Sequence, residues 1–101
     1  MVMHNPPHPG EFIRSVYLEP FSMSARALAD NLAVAPSTLN RVITGKSGIS
    51  PDMALRLSKA LGRSAESWLA MQDHYDLWQA KQHAKLDQVQ HIEFAAAQQD
   101  V

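Results

Sequence analysis

Residues 24–46 read SARALADNLAVAPSTLNRVITGK, and they decide the fold. Leu28, Ala29 and Leu32 fall at helical spacing on one face, and Leu39, Val42 and Ile43 repeat the pattern further on. Between the two runs stands Ala33-Val34-Ala35-Pro36, long enough only for a turn. Pro36 suits the first position of a helix, where its missing N–H costs nothing. Ala35 is then the N-cap, and Val34 lies at the spacing from Leu39 that makes a hydrophobic staple. Gly45 is placed to end the second helix.

The second helix carries Ser37, Thr38, Asn40, Arg41 and Thr44 on its polar face, with Lys46 just beyond its end. Short donors with one arginine suit a helix lying in a DNA major groove. Arginine pairs with a guanine edge, asparagine with adenine, and hydroxyls reach bases or phosphates. Two short helices so arranged are a helix-turn-helix, the first lying across the DNA backbone and the second in the groove. Arg41 is the foremost candidate for a base contact, followed by Ser37, Thr38 and Asn40; Thr44 and Lys46 are candidates for phosphate.

Outward from this stretch the chain reads as further helices. Pro9-Gly10-Glu11 opens one, with Ile13, Val16 and Tyr17 expected on its buried side and a stop before Pro20. Phe21 and Met23 are expected under the following loop, and Ser24 caps the helix that follows. Gly48 is expected to make a tight bend in the loop after Lys46. Ser50-Pro51-Asp52 then starts a helix with Ala54, Leu57 and Leu61 inward, and Gly62 ends it. Ser64-Ala65-Glu66 starts a long last helix on which Trp68, Tyr75 and Trp78 recur at helical spacing. Large aromatics beyond what a small domain covers mark a self-association or partner surface. The expected organisation is a flexible arm over 1–8, a domain over 9–80 and a partly disordered extension over 81–101, in which Val89, Ile92 and Phe94 form a short strand or a loose helical end.

The segments APSTLNRVITGKSGISPDMALRLSKALG (35–62), HPGEFIR (8–14) and SAESWLAMQDHYDLWQA (64–80) together resemble the Xre/Cro-type helix-turn-helix family and, within it, the HigA/VapI antitoxin branch. The resemblance implies an all-α, five-helix, lambda-repressor-like domain with an extended C-terminal helix. It also implies a homodimer that represses its own operon on a palindromic operator and silences a HigB-like, mRNA-cleaving toxin by binding it. Two residues depart from the family pattern. Ala33 stands where glycine is usual, at a cost of about 1 kcal/mol in a left-handed conformation. Ala35 stands where a serine or threonine cap is common, losing roughly 1 kcal/mol.

Composition bounds the alternatives. The chain has 101 residues, no cysteine and a net charge of −1. Absent thiols exclude disulfides and thiolate metal sites and fit a reducing cytoplasm, where the protein is expected. No apolar run approaches the roughly 18 residues of a membrane span, and the N-terminus has no signal-peptide pattern. The charge is unevenly spread: Arg26, Arg41, Lys46, Arg56, Lys59 and Arg63 face only Asp30 and Asp52 between positions 26 and 63, while acidic residues dominate the remainder. No phosphate-binding glycine loop, HExxH or GxSxG is present, so an enzyme is not expected, nor is a cofactor. His4 and His8 lack a third clustered metal ligand, and no metal is expected. Two readings stand beside the antitoxin: a repressor with no toxin, and a protein-interaction module that keeps the fold without binding DNA.

Overall fold

The computed structural model describes residues 5–95. Five helices follow one another: α1 (Pro9–Ile13), α2 (Ala25–Leu32), α3 (Pro36–Ile43), α4 (Pro51–Leu61) and α5 (Ala65–His83). No strand occurs among the described residues, so the all-α expectation holds. Serine hydroxyls set three of the starts. Ser24 accepts from the Ala27 N–H at 3.0 Å, Ser50 from Met53 at 3.1 Å and Ser64 from Ser67 at 3.0 Å. Each satisfies an amide that the first turn leaves without an intrahelical partner.

Ile13, Leu28, Ala29, Leu32, Leu39, Val42, Ala54, Leu57 and Trp68 form the centre of one hydrophobic core. α2 packs on α3, α1 on α3, α4 on α5, and α2 on α4. α5 is thus anchored by its first half, and its distal half runs outward. Trp68 is 0% exposed, edge-on to Phe12 at 5.9 Å between ring centroids. It is core, and not part of the association surface assigned to it from sequence. Position 68 faces Phe12 of α1 and Tyr17, which spacing along one helix cannot reveal.

Three other expectations are corrected. Val16 is 38% exposed, and Leu18 is buried in its place. The chain continues from α1 as a π-helical turn, Arg14–Leu18, in which the Glu19 N–H reaches Arg14 O at 2.9 Å. Five-residue closure rotates the buried face by about one position relative to the α-helical pattern. Helical structure ends at Leu18, before Pro20 as expected, and the turn that follows closes at Ser22 with φ 53° and a Met23 N–H bond to Leu18 O. Phe21 therefore sits on a turn and is 71% exposed. Finally, the arm is not free up to residue 8: Pro6 is buried and His8 caps α1. At the other end α5 continues to His83, and residues 84–95 follow as irregular backbone with one turn (Val89 N–H to Leu86 O), neither strand nor helix. His4 and the tail beyond residue 95 lie outside the described residues.

Candidate nucleic-acid interface

The turn between α2 and α3 is built by backbone geometry. Ala33 has φ 58° and ψ 43°; its N–H bonds to Asp30 O at 3.1 Å and the Val34 N–H to Ala29 O at 3.1 Å. This is the paired closure of a Schellman motif, with alanine at the left-handed position that glycine ordinarily takes. Arg56 of α4 reinforces it. Its Nη1 donates to Leu32 O at 2.9 Å and to Ala33 O at 3.2 Å, while Nε pairs with Asp52 at 2.8 Å. The carbonyls left bare at the end of α2 are met by a cation, where the helix dipole also favours one. Ala35 supplies no side-chain cap to α3, as the sequence indicates, and Pro36 occupies the first turn.

α3 buries Leu39, Val42 and Ile43 and exposes Ser37, Thr38, Asn40, Arg41 and Thr44. Lys46 is exposed beyond it. The six residues singled out for DNA contact are therefore all at the surface on one helix and its exit. The Arg41 guanidinium has no ion pair or hydrogen bond to any described residue and is open to a ligand. Thr44 is less available. Its hydroxyl donates to Asn40 O at 2.8 Å, spending its one proton on the helix. The end of α3 repeats the Schellman pattern with glycine: Gly45 N–H bonds to Val42 O at 3.1 Å and Lys46 N–H to Arg41 O at 2.8 Å.

Three contacts hold α3 and its exit loop from behind. Gly10 lies against the α3 backbone: a Cβ there would overlap Val42 O and come within 2.8 Å of Ile43 Cα. Gly48 lies flat against the Gln72 side chain, where a Cβ would meet Cδ at 2.9 Å. Its glycine serves this close approach and not the tight bend expected from sequence; the positive φ lies at Gly45, 79°, where α3 ends. Gln72 Oε1 in turn accepts the Ile49 N–H at 2.8 Å. The third contact is His8. Its Nδ1 accepts the Gly10 N–H at 2.9 Å and its ring meets Tyr75 edge-on at 4.9 Å. Burial pushes the His8 pKa below its ordinary value, against Asp76, the Ser47 main chain and Glu11, which favour the charged ring. Only the His8 cap on Gly10, two residues on, is local. Otherwise His8 and Gln72 act on partners brought close only by folding, and the HPG tripeptide was the one sequence signal for the first of them.

The basic segment divides once side chains are placed. Arg56 is committed to α2, and Arg63 lies over the rings of Phe12 at 5.1 Å and Trp68 at 5.7 Å. Arg63 is itself exposed, and Arg26, Arg41, Lys46 and Lys59 are exposed with no such side-chain commitment among the described residues. Of the aromatic stripe, Tyr75 is half-buried between His8 and Gln79, whose Nε2 donates to its hydroxyl at 3.1 Å. Trp78 is half-buried, and its neighbour Leu77 is 56% exposed. No helix of the described residues is long and apolar enough to cross a membrane.

Comparison with known proteins places these features in a group. The helix-turn-helix family pattern matches residues 16–68. Virulence-associated protein I of Dichelobacter nodosus is 49% identical over 75 residues, spanning 74% of this chain and 69% of that protein. Among solved structures, the antitoxin GraA superimposes with a TM-score of 0.80 at 38% identity, covering 92% of this chain and 99% of its own. The Pseudomonas aeruginosa antitoxin HigA, solved with the higBA promoter, gives 0.74 at 40% identity over 77% of this chain and 85% of its own.

Proposed function

This chain belongs to the Xre-type helix-turn-helix family, HigA-like antitoxins among its relatives, and from that premise we propose that it is a sequence-specific DNA-binding antitoxin that represses its own operon as a homodimer. The observation that carries the DNA-binding part is the exposed face of α3, where Thr38, Asn40 and an unpaired Arg41 stand together while Leu39, Val42 and Ile43 anchor the helix below. Arg41 reads a base, with Ser37, Thr38 and Asn40 beside it; Lys46 takes a phosphate. Thr44 contributes by closing α3, and its oxygen retains acceptor capacity only.

Two recognition helices on one palindromic duplex sit about one helical turn, roughly 34 Å, apart. The distal half of α5, with Leu77 exposed and Trp78 half-covered, is the surface we assign to self-association or to the toxin. The toxin is of the HigB-like ribonuclease class, supported by the HigA likeness. Repression then follows from occlusion of the promoter.

The test is a gel shift on DNA upstream of the gene against random duplex at two salt concentrations. A preference of roughly 10³-fold or more supports the reading. Weak binding, equal on both and lost with salt, leaves charge alone and favours the interaction module. Co-expression with a toxin-like reading frame adjacent to the gene tests the antitoxin part: rescue of growth and a co-purifying complex are expected, and DNA preference without either leaves a repressor with no toxin.

A further inference from the structure

We propose that Gln72 is a positioning residue for DNA binding, acting from α5 on loop 45–50 to fix how Lys46 meets the DNA backbone. The inference rests on the DNA-binding reading above and goes further by naming what holds the phosphate-facing loop.

Gln72 is the one buried polar side chain among the described residues. Both ends of its amide are used. Oε1 accepts the Ile49 N–H at 2.8 Å, and Nε2 donates to Asp76 Oδ1 at 3.0 Å. Asp76 therefore decides which way round the amide sits, since the carboxylate accepts only from the NH₂ end. Gly48 presses on the same amide face, within 2.9 Å for an added Cβ. A buried hydrogen bond between residues 23 positions apart fixes an orientation that apolar packing leaves loose.

Beside the His8 contact with the Ser47 main chain, two sets of hydrogen bonds moor the loop. At its front, the Lys46 and Ser47 N–H groups both bond to Arg41 O, at 2.8 and 3.0 Å. At its back, the Ile49 N–H bonds to Gln72. Arg41 and Lys46 thus belong to one segment, tied to α3 on one side and to α5 on the other. Releasing Gln72 frees the back mooring while leaving α3, and the side chains that read bases, in place. Backbone contacts set affinity and register without carrying sequence information. The loss is therefore shared by every duplex, unlike the loss from removing a base-reading arginine.

The experiment compares wild type, Gln72→Met, and Gln72→Glu combined with Asp76→Asn, on upstream and random duplexes, at a temperature where each is folded and with concentrations set by active fraction. The double variant reverses the pair: glutamate accepts from Ile49 and asparagine donates to glutamate. Gln72→Met is expected to weaken both duplexes by a similar factor, roughly fivefold to tenfold, with the upstream-to-random ratio kept. Amide exchange at Ile49 speeds up, and the double variant restores binding. Unchanged binding by Gln72→Met despite faster Ile49 exchange overturns the proposal, because the role is then only structural. A loss confined to the upstream duplex overturns it too, placing the effect on base reading. Should Gln72→Met not fold, Asp76→Ala, which frees the amide to turn, is expected to weaken both duplexes by roughly twofold to threefold; wild-type binding by that variant overturns the proposal. Failure of the DNA reading itself looks different: the wild type would show no preference at all.

Discussion

Replacing Ala33 by glycine should make this protein more stable, and the structure sets the size of the gain. Ala33 sits at φ 58°, ψ 43°, where its Cβ crowds the following carbonyl. That conformation costs an L-residue about 1–2 kcal/mol. Glycine removes the cost but adds unfolded-state freedom worth about 0.4–1 kcal/mol. The methyl group is exposed, so no packing is lost. The groups that close the turn are main-chain: the Ala33 and Val34 N–H bonds and the two carbonyls that Arg56 holds. All survive the change. The net gain is about 0 to 1.6 kcal/mol, near 0.8 at the midpoints, which for a domain of this size raises Tm by about 3–6 °C. Thermal and urea unfolding followed by far-ultraviolet circular dichroism measure it, with an unchanged m-value expected. An unchanged or lower Tm would refute the reasoning. It would mean that Ala33 bears no strain, or that the turn depends on alanine in a way the geometry does not show.

Arg41→Ala should cost about 1–3 kcal/mol on the upstream DNA and relax specificity at one base position, leaving random-duplex affinity little changed; operator affinity equal to wild type would remove Arg41 from the base-reading set. His8 makes stability depend on pH. Its folded-state pKa is lowered from 6.5 by burial, so its contribution is present above 6.5 and is lost as pH falls through the folded value. His8→Asn, which keeps an N-cap acceptor without titrating, should flatten the fall in Tm between about pH 7.5 and 5, and an equal fall in both proteins would show that other groups cause it. Trp78→Ala should weaken self-association or toxin binding, by sedimentation velocity or pull-down, more than it lowers Tm; Trp68→Ala should do the reverse, losing about 3–5 kcal/mol of stability.

What the sequence made legible was local. Serine caps, Pro36 and Pro51 at helix starts, and the Leu39–Val42–Ile43 face all follow from patterns within a few residues, and each is where the spacing puts it. The same holds for Ala33, whose departure from glycine the turn accommodates in a left-handed conformation. Where reading failed, a non-local partner or an irregular turn had intervened. The π-helical closure at Arg14–Leu18 displaced Val16 from the core, and the buried side of α5 took in Trp68. Gln72 and His8 were invisible as site residues for the same reason: their importance lies in Ile49 and Tyr75, which only the fold brings to them.

The charge distribution shows how placement alters a conclusion drawn from counting. Six cations between positions 26 and 63 suggest a broad basic face. Arg56 spends its guanidinium on the end of α2, and Arg63 on two aromatic rings. Both still carry charge, but neither can swing out to a phosphate without giving up a contact that shapes the core or the turn. Of these six, Arg26, Arg41, Lys46 and Lys59 are free of such contacts, and on the proposed reading Arg41 is needed at a base. One protomer then neutralises about three phosphates, fewer than the six to ten contacts of a salt-sensitive, tightly bound protein. Two copies on one duplex reach about six. The arginines withdrawn to build the turn and cover the core are therefore a reason, independent of any exposed apolar surface, for the recognition face to act in pairs.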